Sequence, residues 1–251
     1  EVLAKTHTTT ASQKSHLTKA SNKQVSSKQE YSRNSAKSSS LPDLRKYPSG
    51  TPRKKAFLRT VMPYITSQNA AITAERNWLI SKQYQGQWSP AERARLKDIA
   101  KRYKVKWSGN TRKIPWNTLL ERVDIIPTSM VATMAAAESG WGTSKLARNN
   151  NNLFGMKCMK GRCTNAPGKV KGYSQFSSVK ESVSAYVTNL NTHPAYSSFR
   201  KSRAQLRKAD QEVTATAMIH KLKGYSTKGK SYNNYLFAMY QDNQRLIAAH
   251  M

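Results

Sequence analysis

Glu138 is the carboxylate of this chain whose neighbours best suit it for acid catalysis. It stands in Ala137-Glu138-Ser139-Gly140-Trp141-Gly142-Thr143-Ser144-Lys145-Leu146-Ala147, at the end of an apolar run and just before a Gly/Trp turn. Asn149-Asn150-Asn151-Asn152-Leu153-Phe154-Gly155-Met156-Lys157 follows. A carboxyl group set against apolar neighbours and near the negative end of a helix dipole tends to keep its proton. A proton held that way is what a general acid delivers.

The element that must position this group is a helix. Pro127 fits a first helical position, and Thr128 to Glu138 contains no breaker before Gly140, about three turns. Val131, Met134, Ala135 and Glu138 recur at spacings of three and four, so the acid shares a face with residues that bury. On the helix alone, an ordinary structural Glu in the last turn is an equal reading.

Glu-Ser-Gly-Trp-Gly, the following Ser-Lys-Leu-Ala and Asn-Asn-Leu-Phe-Gly-Met-Lys together resemble the signature of the bacterial cell-wall glucosaminidases of glycoside hydrolase family 73. The similarity runs from about Asp124 to Asp242. The resemblance implies a lysozyme-like fold and makes Glu138 the acid that protonates the glycosidic oxygen. Lys223-Gly224-Tyr225-Ser226-Thr227 and the later Tyr232 resemble the family's Tyr-Ala-Thr-Asp-Pro segment and second tyrosine, with Ser226 in place of Ala and Lys228 in place of Asp. It implies Tyr225, ahead of Tyr232, as the tyrosine beside the acid; packing is the plainer fate of either ring. The resemblance also puts Asn152, Phe154 and Gly155 near the acid as groove-shaping residues. Amides against hydroxyls and aromatic faces against sugar C–H surfaces suit carbohydrate binding, although an Asn-rich stretch is also an ordinary turn composition. Trp141 joins the substrate-binding candidates, as does Tyr232, with holding the turn as the main task of Trp141.

Glycosidic cleavage usually needs two carboxyl groups. Members of the resembling family often place the second in the small hairpin lobe, yet no Asp or Glu occurs between Ser139 and Lys180. Three routes stay open. The substrate's own acetamido group can stabilise the oxocarbenium-like centre; Glu181 can reach the groove, although Ser178-Val179-Lys180-Glu181 is a capping box that gives it a structural task; or Asp124 or Glu121 can contribute from ahead of the catalytic helix.

Composition frames this site. Hydrophobic content of 37% is low, and the shortfall lies in residues 1–50, a Ser, Thr, Lys, Gln and Asn stretch that cannot bury enough surface to offset its chain entropy. We read 1–50 as a disordered basic linker, 51–123 as a helical pre-domain and 124–251 as the catalytic domain. The formal charge is +30, from 43 basic and 13 acidic residues, and eight Lys or Arg crowd the acid-free stretch up to Lys180. Such a field draws anionic polymers, peptidoglycan among them. Nucleic acid fits on charge alone, but no zinc-finger spacing, RNA-binding signature or basic zipper accompanies it, so no nucleic-acid partner is expected.

Cys158 and Cys163 flank a tight turn and form a disulfide in an oxidising compartment, worth about 2 kcal/mol for so short a loop. Free thiols or half a metal site are the competing readings. Without a second Cys or His cluster zinc is not expected, nor is any cofactor, and His193 and His220 read as packing or surface. No apolar run is long enough to span a bilayer. The chain begins with Glu, and a removed leader or an anchor upstream of residue 1, tethered by the linker, is the expectation.

Helices are expected over Thr51 to about Gln87, after Ser89-Pro90-Ala91-Glu92, over Trp116 to Arg122, from the Ser178 box through Leu190, and at about Pro194–Leu206, Glu212–Leu222 and Tyr232–Ala248, with Gly224 as a terminator. Trp78, Trp88 and Trp107 read as packing rather than sugar platforms. Leu153 to Cys158 and Val170 to Phe176 read as a small β-hairpin lobe around the cysteine turn. The sum is an α+β, mostly helical, lysozyme-like two-lobed fold with a groove for a linear glycan. The expected function is that of a monomeric peptidoglycan hydrolase of the endo-β-N-acetylglucosaminidase type in the bacterial envelope, at the periplasm or the inner membrane. A non-catalytic peptidoglycan-binding protein is the alternative, and a basic nucleic-acid binder the third reading.

Overall fold

The computed structural model describes residues 40–158, 161, 163, 166–222 and 229–251. Tyr225, Gly224 and all but the end of the expected linker lie outside the described residues. Nine α-helices run through the described residues: α1 (Thr51–Lys82), α2 (Pro90–Arg102), α3 (Trp116–Arg122), α4 (Thr128–Ser139), α5 (Lys145–Asn150), α6 (Val179–Thr192), α7 (Ser197–Lys208), α8 (Ala215–Met218) and α9 (Lys230–Ala248). Short 3-10 turns cover Leu44–Lys46, Pro194–Tyr196 and Ile219–Lys221.

The helix that carries Glu138 is the centre of the fold. Every residue of α4 from Met130 to Ala136 is buried, and α1 and α9 pack against it. The spacing of Val131, Met134 and Ala135 suggests one apolar stripe; instead the helix is apolar on all sides, as a core helix must be. Ala132, Ala135 and Ala136 keep it slim enough for close neighbours. Partly exposed residues occur only at its two ends, Thr128 and Ser129 at the start and Ala137 and Glu138 at the close. On the other side α1 buries Phe57, Leu58, Val61, Met62 and Ile65, with Pro63 inside the helix at an exposed position. It also packs on α6, whose buried face holds Val183, Tyr186, Val187 and Leu190 as the spacing predicts.

Caps explain several boundaries. Ser89 Oγ accepts from Glu92 N at 3.1 Å and starts α2; Ser178 Oγ accepts from Glu181 N at 3.1 Å and starts α6. The region expected as one helix over Glu212–Leu222 is shorter, a four-residue α8 capped by Thr214 and then a 3-10 turn.

Two findings refine the organisation. Residues 41–50 belong to the folded unit that begins at Leu41. Leu44 is fully buried, Leu41 packs against the core, and Leu41 N donates to Asn151 Oδ1 at 3.3 Å, so these two leucines anchor the segment. The second concerns the hairpin. The segments around the cysteines pair through one antiparallel bridge, Lys157 with Tyr173, flanked by Cys158 N to Gly172 O at 3.1 Å and Ser174 N to Met156 O at 3.0 Å. Among the described residues the pairing goes no further and no helix lies between Asn150 and Val179, so the expected β-hairpin lobe is reduced to this bridge in an otherwise mostly helical fold. Cys158 and Cys163 are disulfide-bonded, their Cα atoms 5.2 Å apart.

A polar core pins the entry to α4. Asp124 is buried and takes two hydrogen bonds from Arg207, Nε at 2.9 Å and Nη2 at 2.7 Å, with Arg76 at 3.6 Å and Arg203 at 3.9 Å completing the charge balance. Arg203 is fully buried and donates to the carbonyls of Glu121, Asp124 and Ile125 and to Asn191 Oδ1. Complete burial pushes its guanidinium down to about 10, against the pull of Asp124. For Asp124 burial favours the neutral form, but the Arg207 hydrogen bonds and the charges of Arg203 and Arg76 outweigh it and hold the carboxyl below its ordinary range.

Candidate active site

The turn after Glu138 is built by left-handed backbone. Gly140 has φ +55, Trp141 φ +54 and Gly142 φ +79, and Trp141 N donates to Ala136 O at 3.0 Å, closing α4 with a Schellman-type cap. Ser139 Oγ donates to Ala135 O and accepts from Gly142 N at 2.8 Å, which fixes the turn from inside. A Cβ on Gly142 would lie 2.6 Å from Leu44 Cδ1, so glycine is required there both for its φ and for space. The Trp141 ring stacks edge-on against Phe57 at 5.5 Å with Lys54 Nζ above it at 5.0 Å. Lys54 also donates to Asn243 Oδ1 at 2.9 Å, tying α1, the turn and α9 together. Trp141 thus holds the turn.

The acid end of α4 opens on a cleft of about 360 Å³ lined by Ala137, Glu138, Ser231, Tyr232 and Tyr235, with mostly apolar walls. Tyr232, from the first turn of α9, donates its hydroxyl to Glu138 Oε1. The other oxygen, Oε2, faces Gly155, where a Cβ would sit 3.2 Å away in a backbone of φ +66. One carboxylate oxygen is therefore oriented by a phenol, and the second lies against bare backbone that no side chain can crowd. Among the described residues Glu138 has no ion pair, in a chain of charge +30.

The Asn-rich segment supports this arrangement from behind. Asn152 is buried; its Nδ2 donates to Met156 O at 2.8 Å and Ser174 O at 3.0 Å, and its Oδ1 accepts from Phe154 N and Met156 N. That amide is spent on the loop carrying Gly155. Asn150 clamps Val170 and Ser174 in the same way, and Asn151 holds Phe176 O. Phe154 is buried and stacks on Tyr186 at 4.1 Å and 4°. Of the groove candidates, Gly155 and Tyr232 meet the acid directly, while Asn152, Phe154 and Trp141 face inward and position the loops that do.

The candidate second acids are not brought to Glu138. Asp124 lies ahead of the N-terminal end of α4, and from Thr128 to Glu138 the helix rises about 15 Å, whereas paired catalytic carboxyls lie within about 10 Å of each other. Its oxygens belong to the arginine cluster. Glu181 Oε2 accepts from Ser177 N at 2.7 Å and Ser177 Oγ at 2.6 Å, and the residue lines a different cavity, of about 280 Å³, with Lys104, Ser184 and Thr188. Segments 159–165 and 223–228 contain no Asp or Glu. Among the described residues no three His, Cys, Asp or Glu side chains cluster as a metal site requires, and no helix is long and apolar enough to cross a membrane.

Sequence reasoning overlooked Ser231 and Tyr235 in the cleft and the Arg76, Arg203, Arg207 cluster at the far end. A usable signal existed for each. Tyr235 follows Tyr232 by three, one helical turn along, and Arg200, Arg203 and Arg207 repeat at three and four on a helix.

Among the described residues Glu138 is thus the one carboxyl on this cleft, held by a phenol at the end of a buried helix in a mostly helical body. The family model described as Glucosaminidase, mannosyl-glycoprotein endo-beta-N-acetylglucosaminidase, matches residues 115–245, and the chain belongs to that family. The match covers α4, the Gly155 loop and most of α9. No solved structure matches the chain.

Proposed function

We propose that this chain is a peptidoglycan hydrolase of the endo-β-N-acetylglucosaminidase type, cutting the glycan strand after N-acetylglucosamine with Glu138 as general acid. The observation that carries the reading is the seat of Glu138: among the described residues the sole carboxyl lining the cleft, bonded by Tyr232 and backed by Gly155. The family's name speaks of glycoproteins, and two features favour a wall polymer instead. The charge of +30 suits an anionic polymer, and the disulfide suits the oxidising periplasm. Within the family, the sequence most resembles the Bax protein of enteric bacteria, unrelated to the apoptotic protein of that name. Residues 51–123 act as the support of the catalytic part, 124–251, in this reading.

The chemistry follows from one carboxyl. Glu138 gives its proton to the glycosidic oxygen as the C1–O bond breaks and that oxygen takes the bonding pair. With no second carboxylate in the cleft among the described residues, the acetamido oxygen of the same sugar forms the new bond to C1. Water then adds at C1, the ring so formed opens, and the Glu138 carboxylate recovers a proton from that water. Two inversions leave the anomeric configuration unchanged. Tyr232 orients the acid throughout; Tyr225, which the resemblance puts ahead of Tyr232 in this role, lies outside the described residues.

A turbid cell-wall suspension tests the proposal: the native chain clears it and Glu138→Gln does not. Strands stripped of their N-acetyl groups resist the native chain, because the internal nucleophile is gone. Cleavage of stripped and native strands at equal rates contradicts the acetamido step. That no second carboxyl lines the cleft among the described residues also favours a second reading, a wall-binding protein that does not cut. In that case native chain and Glu138→Gln pellet equally with wall fragments and neither releases reducing ends.

A further inference from the structure

Five large hydrophobic residues are exposed among the described ones: Tyr47, Ile80, Tyr84, Tyr235 and Met251. Four of them lie away from the cleft, and single exposed apolar groups need no explanation. Tyr235 differs in place. It is 56% exposed and forms part of the wall that Glu138 and Tyr232 also line. Its helix, α9, packs on α4, so the ring is carried by a rigid element rather than by a loop.

The register along α9 gives the two tyrosines separate tasks. Tyr232 and Tyr235 are three residues apart, on adjoining parts of one helical face and about 4.5 Å apart along the axis. Tyr232 is committed to Glu138. Tyr235 stands one step further along the cleft, with about half its surface open. The same cleft is lined by Ser231, with a hydroxyl, and Ala137, whose methyl group leaves the floor low. An aromatic face, a nearby hydroxyl and a shallow apolar floor match a pyranose, whose C–H face is apolar and whose rim is polar. A charged or extended peptide ligand would call for ion-pairing groups, and among the described residues Glu138 is the only charged one on this wall.

We propose that Tyr235 is the stacking platform of an N-acetylhexosamine subsite next to the scissile bond, with Ser231 bonding the sugar's rim. The assignment rests on the glycosidase reading of Glu138 and adds a residue for holding substrate. Tyr235 grips the sugar before and after bond cleavage alike, so its contribution is uniform binding and belongs in KM rather than kcat.

The test uses the full chain on soluble, peptide-free glycan strands, with reducing-end release followed against strand concentration. Tyr235→Ala raises KM about tenfold, with the loss in kcat much smaller. Tyr235→Trp, which keeps an aromatic face, recovers most of the affinity. An unchanged KM in Tyr235→Ala, or a loss confined to kcat, overturns the platform. Strand binding by Glu138→Gln, with and without Tyr235→Ala, separates this proposal from the reading beneath it. If the native chain releases no reducing ends yet Tyr235→Ala weakens strand binding, the platform stands and the glycosidase reading falls. Inactivity together with unaltered binding defeats both.

Discussion

The two ends of α4 carry two carboxylates in opposite circumstances. Ahead of its start, Asp124 is buried among Arg76, Arg203 and Arg207, hydrogen-bonded by Arg207 and held charged by all three cations. At its close, Glu138 is half-buried, meets one phenol and a glycine backbone, and faces a cleft. The chain has cations in excess, yet among the described residues they gather on the carboxylate at one end and leave the one at the cleft without an ion pair. A shared helix keeps the first from disturbing the second.

Substitutions at either end should therefore fail differently. Glu138→Gln removes the proton donor and lowers kcat by about 10³-fold or more, while its thermal midpoint stays close to that of the native chain. A midpoint fall comparable to that of a core variant would erase the contrast. Asp124→Asn strands buried Arg203 without its counter-charge and costs about 3–5 kcal/mol of stability in denaturant unfolding. Folded enzyme that survives should keep native kcat. The same carboxyl sets a pH signature. Because its folded pKa lies below the ordinary carboxylate value, its stabilisation is complete above about pH 4 and is lost as pH falls through the lowered value. Acid unfolding curves of native chain and Asp124→Asn should converge at low pH and separate above it.

Two smaller changes sharpen the Glu138 end alone. Gly155→Ala puts a methyl against Oε2 and forces an L residue into φ +66, so kcat falls by about 10² through misplacement of the acid, with about 1 kcal/mol of stability lost. Normal kinetics in that variant would mean the loop does not seat the carboxyl. Tyr232→Phe removes one hydrogen bond to Oε1 and lowers kcat by about tenfold. Little change in KM is expected, since Tyr232 acts through Glu138.

Much of this was legible in the residues because the physics is local. The Pro127 start, the Gly140 stop, the two Ser caps and the position of Glu138 at the exit of an apolar helix all follow from neighbours within four positions. What escaped was long-range. Asn152 reads as a sugar-facing amide in a turn, but only the fold reveals that Met156 and Ser174 consume its hydrogen bonds. Leu41 and Leu44 read as the tail of a polar linker, although two leucines suffice to dock it against Gly142 and Asn151. The cysteine region reads as a hairpin from its alternation, yet its backbone pairs at Lys157 and Tyr173 and is otherwise bonded to Asn150 and Asn152 side chains. No periodicity predicts that Arg203 would be fully buried; its partners are carbonyls from a segment about 80 residues earlier.

The central claim is that Glu138 alone supplies the acid for cleavage after N-acetylglucosamine. Mass spectrometry of borohydride-reduced muropeptides tests it most directly. The native chain should generate fragments ending in reduced N-acetylglucosamine, and Glu138→Gln none. Reduced N-acetylmuramic acid at the new ends, or the same products from both proteins, would contradict the account.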